Sequence, residues 1–155
     1  MPESTSRPRV TVPDVIARKN HHLPLTMITA YDATFAKIVD ESGVDMILVG
    51  DSVGSVVQGV ANTIPVTLEE MEYHVRLVAR ANPRALIIGD LPFGSYQVNT
   101  EQAVRSAIRL VKAGAAAVKL EGGVTMQDAI AAISRVDIPV MGHIGLTPQS
   151  YHRMG

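Results

Sequence analysis

Several apolar runs in this sequence end on side chains that could do chemistry. Asp51 and Ser52 follow MILVG, Asp90 follows ALIIG, Lys119 and Glu121 lie within and just after AAVKL, and His143 follows IPVMG. Three carboxylates brought together without compensation would repel one another and raise each other's pKa. A hard divalent cation removes that conflict, and magnesium is commonly held by one or two carboxylates together with oxygens of a substrate. The sequence has no cysteine, so thiolate metal sites are excluded and a metal must be bound by oxygen or imidazole. His143 has no second histidine at helical ligand spacing and reads as a hydrogen-bonding pocket residue rather than a zinc ligand.

Lys119 and Glu121 are two residues apart, so on a strand they point to the same side. A lysine inside an apolar strand is costly unless paired. It either forms an ion pair with a neighbouring acid such as Glu121 or holds an anionic substrate, and the two roles are compatible. Plainer roles fit other residues. Asp32 could cap a following helix, and any single strand-end acid could close a turn; it is the set Asp51, Asp90 and Glu121 that points to a site. His21 and His22 read as an exposed loop, and Arg76, Arg80 and Arg84 as a solvated helix face with its exit. Gly50 and Gly54 bracket Asp51-Ser52, but no dinucleotide or P-loop fingerprint surrounds them.

The elements that would position these groups follow from hydrophobic patterning. Apolar runs predict strands at 27–30, 46–49, 85–89, 116–120 and 138–142, and helical spacing predicts helices at 34–42, 68–81, 100–113 and 126–134. Thr67 and Glu70 form a capping-box pattern. SGVDMILVG and AGAAAVKLE both run from a glycine into a strand with an acid at or just past its end, a weak repeat of one β/α module. Continuous rather than alternating apolar strands imply a parallel sheet covered on both faces. Such sheets place ligands at the carboxyl ends of their strands, whether open or closed into a barrel. An acid directly after a buried strand is therefore in position to meet a ligand.

The composition suits one globular domain over 1–155. Fourteen basic and fifteen acidic residues give a net charge of −1, which leaves no electrostatic footprint for nucleic acid or an anionic membrane. The first twenty residues are polar and interrupted by proline, with no apolar core of signal-peptide length, and no segment approaches the ~18 apolar residues of a membrane span. A cytoplasmic protein acting on small molecules is expected.

TAYDATFAKIVDESGVDMILVGDSVG, IPVTLEEMEYH, DLPFGSYQ, AAVKLEGG and GHIGLTPQS occur in this order, and together they resemble the signature blocks of the ketopantoate hydroxymethyltransferase family from about Val10 to Gly155. The resemblance implies a (β/α)8 barrel of TIM type that forms homo-oligomers. It also implies transfer of a hydroxymethyl group from 5,10-methylenetetrahydrofolate to the 2-oxo acid 3-methyl-2-oxobutanoate, on the route to pantothenate and coenzyme A. Carried over residue by residue, it makes Asp51, Asp90 and Glu121 the magnesium site. Asp51, Ser52, Asp90, Lys119 and His143 become the oxo-acid pocket. The family's catalytic base would lie beyond Gly155, so no residue here takes that role. A complete barrel needs eight strands and about 250 residues, which makes this chain roughly the first five strands. Two loops depart from the family pattern, at Gly59-Val60-Ala61-Asn62 and at Gly94. Two other function classes stay open: another magnesium-dependent, oxo-acid-enolising barrel enzyme of the phosphoenolpyruvate mutase and isocitrate lyase group, or a non-catalytic fragment that binds a ligand or a subunit.

Overall fold

The computed structural model describes residues 8–154; residues 1–7 and 155, the ends of the expected domain, lie outside the described residues. Five strands form one parallel sheet: β1 (Met27–Thr29), β2 (Met46–Val49), β3 (Leu86–Asp90), β4 (Ala117–Glu121) and β5 (Val140–His143). They stand side by side in chain order, each hydrogen-bonded to its predecessor. Between them lie α2 (Ala33–Glu41), α3 (Leu68–Arg80), α4 (Thr100–Ala113) and α5 (Gln127–Ser134), so the β/α alternation is as expected, with ends shifted by at most two residues.

Strand residues alternate between two environments, and this alternation organises the molecule. Ile47, Val49, Ile87, Val118 and Leu120 face the helices and join Met71, Val75 and Val78 of α3, Leu110 of α4 and Ile133 of α5 in the main core. Fully burying one such side chain stabilises the fold by about 1.5–3 kcal/mol. On the other face Met46, Leu48, Leu86, Ile88, Ala117 and Met141 form a second apolar cluster. The same face continues toward the carboxyl ends of the strands with Asp90, Lys119, Glu121 and His143. Its near end is greasy and its far end carries the ionisable groups.

The patterning missed the first helix and the short one at Tyr151–Met154. α1 (Val12–Asn20) forms within the stretch taken as proline-broken, because Pro13 falls in the first turn, where a missing N–H costs nothing. Thr11 and Asp14 cap it reciprocally, with the Thr11 N–H donating to Asp14 Oδ2 at 2.8 Å. Val12 and Val15 pack against the second apolar cluster, so α1 covers the end of that face opposite the ionisable groups. The Glu70 carboxylate accepts from the Thr67 N–H at 2.7 Å, completing the capping box expected before α3. Asp32 is a cap, as its plain reading held: its Oδ1 accepts from the N–H groups of Thr34 and Phe35 at 2.8 and 2.9 Å.

Two glycines allow close packing. Gly114 ends α4 at φ +120°, and a Cβ there would stand 2.4 Å from Ala79 Cβ of α3. A Cβ on Gly54 would meet Val66 Cγ2 at 2.7 Å, which lets the π-helical segment Gly54–Gln58 lie flat behind Asp51-Ser52. Between α3 and α4, Arg109 holds Glu72 with two parallel bonds of 2.9 and 2.8 Å and reaches Glu69 at 2.8 Å. Of the arginines expected to be solvated, Arg76 and Arg80 are exposed, whereas Arg84 is partly buried and donates to the Val44 carbonyl at 3.3 Å. His21 and His22 are exposed, as expected.

Asp45, just before β2, ties α1 to the sheet. Its Oδ2 accepts from the Thr26 N–H at 2.8 Å and the Thr26 hydroxyl at 3.0 Å, and Arg18 of α1 pairs with Oδ1. Burial works to raise its pKa, but the Thr26 bonds and Arg18 outweigh it and hold the carboxyl below its ordinary value. A carboxylate whose folded pKa is depressed stabilises the fold above its unfolded pKa and loses that contribution as pH falls through the folded value. Asp45→Asn is therefore expected to lower Tm at neutral pH and to shrink the Tm loss between neutral pH and about pH 3, read by thermal melts across that range; an unchanged acid limb would exclude Asp45 as a contributor.

Candidate active site

The ionisable groups meet because of strand register. In the β3–β4 ladder Asp90 lies opposite Lys119, and in the β4–β5 ladder Glu121 lies opposite His143. Neighbours in register on one face are within reach of each other. Lys119 Nζ donates to Asp90 Oδ1 at 2.8 Å, and His143 Nδ1 stands 3.1 Å from Glu121 Oε1. Lys119 was expected to pair with a neighbouring acid such as Glu121; Asp90 is the nearer partner, and the Glu121 carboxylate is 3.9 Å away. The two share a side, as their spacing required, but the adjacent strand brings Asp90 closer.

Asp51 sits two residues past β2 and is buried with the others; Asp51, Asp90 and Glu121 are 4%, 1% and 4% exposed and Lys119 8%. Its N–H donates to Asp90 Oδ2 at 3.3 Å. Burial pushes the Asp90 carboxyl up to about 7; Lys119 opposes the shift and the nearby Asp51 carboxylate adds to it. Burial is the larger cause, and the like-charge conflict anticipated from sequence contributes through Asp51 alone. Ser52 Oγ is 2.8 Å from the Tyr31 hydroxyl, whose pKa burial raises above the ordinary value, so the phenol keeps its proton. His74 Nδ1 in turn contacts the Tyr31 carbonyl at 2.8 Å.

Two residues with no role assigned from sequence complete the site. Gln149 is buried in the segment after β5. Its Nε2 donates to Asp51 Oδ2 at 2.8 Å and to the Leu91 carbonyl at 2.9 Å, while its backbone N–H donates to Glu121 Oε2 at 3.1 Å. Its Oε1 accepts from the Tyr96 hydroxyl at 2.7 Å. That hydroxyl accepts from the Glu121 N–H at 3.1 Å. Both residues lie inside quoted motifs, DLPFGSYQ and GHIGLTPQS, but nothing in their local spacing signals partners so remote in the chain.

All the sequence-derived candidates therefore converge: Asp51, Ser52, Asp90, Lys119, Glu121 and His143 line one end of one sheet face. Among the described residues no three histidine, aspartate or glutamate side chains stand at ready metal-ligating spacing; Lys119 and Gln149 instead supply the donors that the carboxylates need. The donor set is hard oxygen, which would suit magnesium better than zinc.

A parallel sheet wound in chain order, with helices between its strands and carboxylates at the strand ends, defines an α/β protein of barrel type. Solved structures agree on the fold. A phosphonopyruvate hydrolase in complex with oxalate and Mg++ superposes with a TM-score of 0.69 at 17% identity, covering 84% of this chain and 50% of that one. A 2,3-dimethylmalate lyase of the PEP mutase/isocitrate lyase superfamily gives 0.63 at 20% identity, covering 87% and 53%. At these identities the likeness concerns fold alone. Sequence comparison is more specific: the ketopantoate hydroxymethyltransferase family matches residues 9–155. The 3-methyl-2-oxobutanoate hydroxymethyltransferase of Ignicoccus hospitalis is 56% identical over 147 residues, covering 95% of this chain and 56% of that relative. The protein of the same description from Pelobacter propionicus is 55% identical over 153 residues, covering 98% and 57%. The chain belongs to the ketopantoate hydroxymethyltransferase family. It spans about half the length of the curated relatives it matches.

Replacing Gln149 by leucine would take the amide donor from Asp51 Oδ2 and the Leu91 carbonyl in a buried setting, while the Tyr96 hydroxyl keeps the Glu121 carbonyl as acceptor at 3.2 Å. The expected cost is about 1–3 kcal/mol for each group left unsatisfied, measured by denaturant unfolding. A cost near zero would mean that water replaces the amide.

Proposed function

We propose that the chain carries the oxo-acid and metal half of a hydroxymethyltransferase that makes ketopantoate from 3-methyl-2-oxobutanoate and 5,10-methylenetetrahydrofolate. The observation that carries this reading is the family match over residues 9–155, supported by the gathering of the candidate residues on one sheet face. The 155 residues act as one unit in a cytoplasmic enzyme that assembles from several copies. Among the described residues, no helix is long and apolar enough to cross a membrane.

Asp51, Asp90 and Glu121 would hold Mg2+, which when bound neutralises the negative charge that develops on the oxo acid as C3 loses its proton. The Lys119 ammonium, paired with Asp90 at 2.8 Å, would hold the substrate carboxylate. Ser52 offers its hydroxyl to the same substrate, oriented by Tyr31, and His143 borders it while hydrogen-bonded to Glu121. Gln149 fixes the positions of the Asp51 and Glu121 carboxylates.

In the reaction the C3–H bond breaks and C3 bonds to the methylene carbon of the donor. Both of that carbon's bonds to nitrogen break, one as the carbon–carbon bond forms and the other as water supplies the hydroxyl; the C3 proton and one proton of that water balance the two nitrogens of the departing tetrahydrofolate. No residue of this chain is assigned as the base that accepts the C3 proton. The mutase and lyase alternative has the same fold but no use for a folate donor, so dependence of product formation on methylenetetrahydrofolate separates the two. Deuterium incorporation at C3 of the oxo acid in heavy water separates either enzyme from a binding-only protein.

In a complete barrel that includes these residues, Asp51→Asn or Asp90→Asn is expected to reduce magnesium-dependent turnover about a hundredfold or more, and unchanged turnover in either would remove that residue from the metal site. Lys119→Gln keeps a donor to Asp90 but loses the charge. It should raise the KM for 3-methyl-2-oxobutanoate about tenfold, and an effect confined to the folate KM would contradict its role.

A further inference from the structure

Lys119 has two neighbours in register on its face of the sheet, Asp90 on β3 and Met141 on β5. Asp90 takes the ammonium. Met141 is the apolar member of that row and is only partly buried, at the boundary where the apolar end of the face gives way to the ionisable end. We propose that Met141 determines which 2-oxo acids the site accepts, by carrying the branched alkyl group of the substrate; the assignment rests on the function proposed above.

Reach and elimination both lead to this residue. With its carboxylate held at Lys119, a short oxo acid carries its alkyl end about 4.8 Å away, one strand spacing. The in-register side chains at that distance are Asp90 and Met141, and Asp90 offers an alkyl group nothing. Deeper on the same face, Ile88 and Ala117 are 0% and 5% exposed and have no surface left for a ligand. Leu48 is partly buried but stands on β2, two strands from Lys119. Met141 is therefore the apolar surface within reach. Two residues further along β5, His143 points to the same side, with its Nδ1 3.1 Å from Glu121 Oε1. β5 thus presents an apolar and a polar group along one wall, the mixture typical of a small-molecule site. The thioether is packed against the second apolar cluster, which backs it as a ligand approaches. A methionine side chain is flexible and polarisable, so it can close over methyl groups without imposing one shape.

Calorimetry on the purified chain with Mg2+ tests the assignment with two probes, 3-methyl-2-oxobutanoate and pyruvate, which has the same carboxylate and keto groups without the methyls on C3. The readout is the ratio of the two Kd values, which a purely structural role for Met141 would leave alone. The wild type should bind the branched acid about tenfold more tightly than pyruvate. Met141→Gln, close in shape but polar, should bring the ratio near one by weakening the branched acid, with the pyruvate Kd unchanged. Met141→Leu conserves apolar volume and should keep the preference. A wild type without preference, a ratio unaltered in Met141→Gln, a ratio that moves equally in both variants, or a loss shared by both probes would overturn the assignment while leaving the family reading intact. If neither probe binds the wild type, the proposed function falls and this assignment with it.

Discussion

The ion pair between Lys119 and Asp90 is the contact on which the arrangement of the site depends. Four ionisable groups, Asp51, Asp90, Lys119 and Glu121, are almost wholly withdrawn from water. Left unpaired, each would cost several kcal/mol, while a buried pair with good geometry and further hydrogen bonds recovers much of that. The 2.8 Å contact from Lys119 to Asp90 and the weaker one to Glu121 satisfy the middle of the cluster. The Gln149 amide satisfies Asp51 from one side, and the Gln149 backbone and His143 satisfy Glu121 from the other. All of this requires β3, β4 and β5 to hold one register. A slip of one residue in β4 would turn Lys119 toward the helices and bring Val118 or Leu120 to the rim. Register and electrostatics therefore enforce each other.

The two ends of the inner sheet face divide the labour. Near the start of the strands, Met46, Leu86, Ile88 and Ala117 pack under α1 and hold the sheet from below. Near their ends the polar groups replace them. A barrel-type fold can change its chemistry at one end without disturbing packing at the other. The fold likeness to enzymes at 20% identity or less, beside a family match across nearly the whole chain, illustrates the difference between scaffold and site.

The strands and four of the helices were legible because each is a short apolar run or an amphipathic repeat whose signal is local. The rim residues were legible for a related reason: they are polar where such a run ends. α1 was missed because Pro13 and the polar residues around it look like a break, when the deciding feature is the position of the proline relative to Thr11 and Asp14. An acid partner for Lys119 was legible, but not which one: spacing along one strand points to Glu121 and says nothing about which residue of the next strand lies alongside. Gln149 and Tyr96 carried no local signal, since a glutamine in a loop is ordinary until its partners are known.

The bond from Gln149 to Asp51 spans 98 residues of sequence, whereas every strand pairs with the one before it. Sheet growth can proceed by short closures, each costing little chain entropy, but this bridge requires a long loop to be closed first. Without the segment after β5, Asp51 would lack the Gln149 amide and Glu121 the Gln149 N–H that make their burial tolerable. The setting of an acid at the end of β2 thus depends on a segment three strands further along the chain.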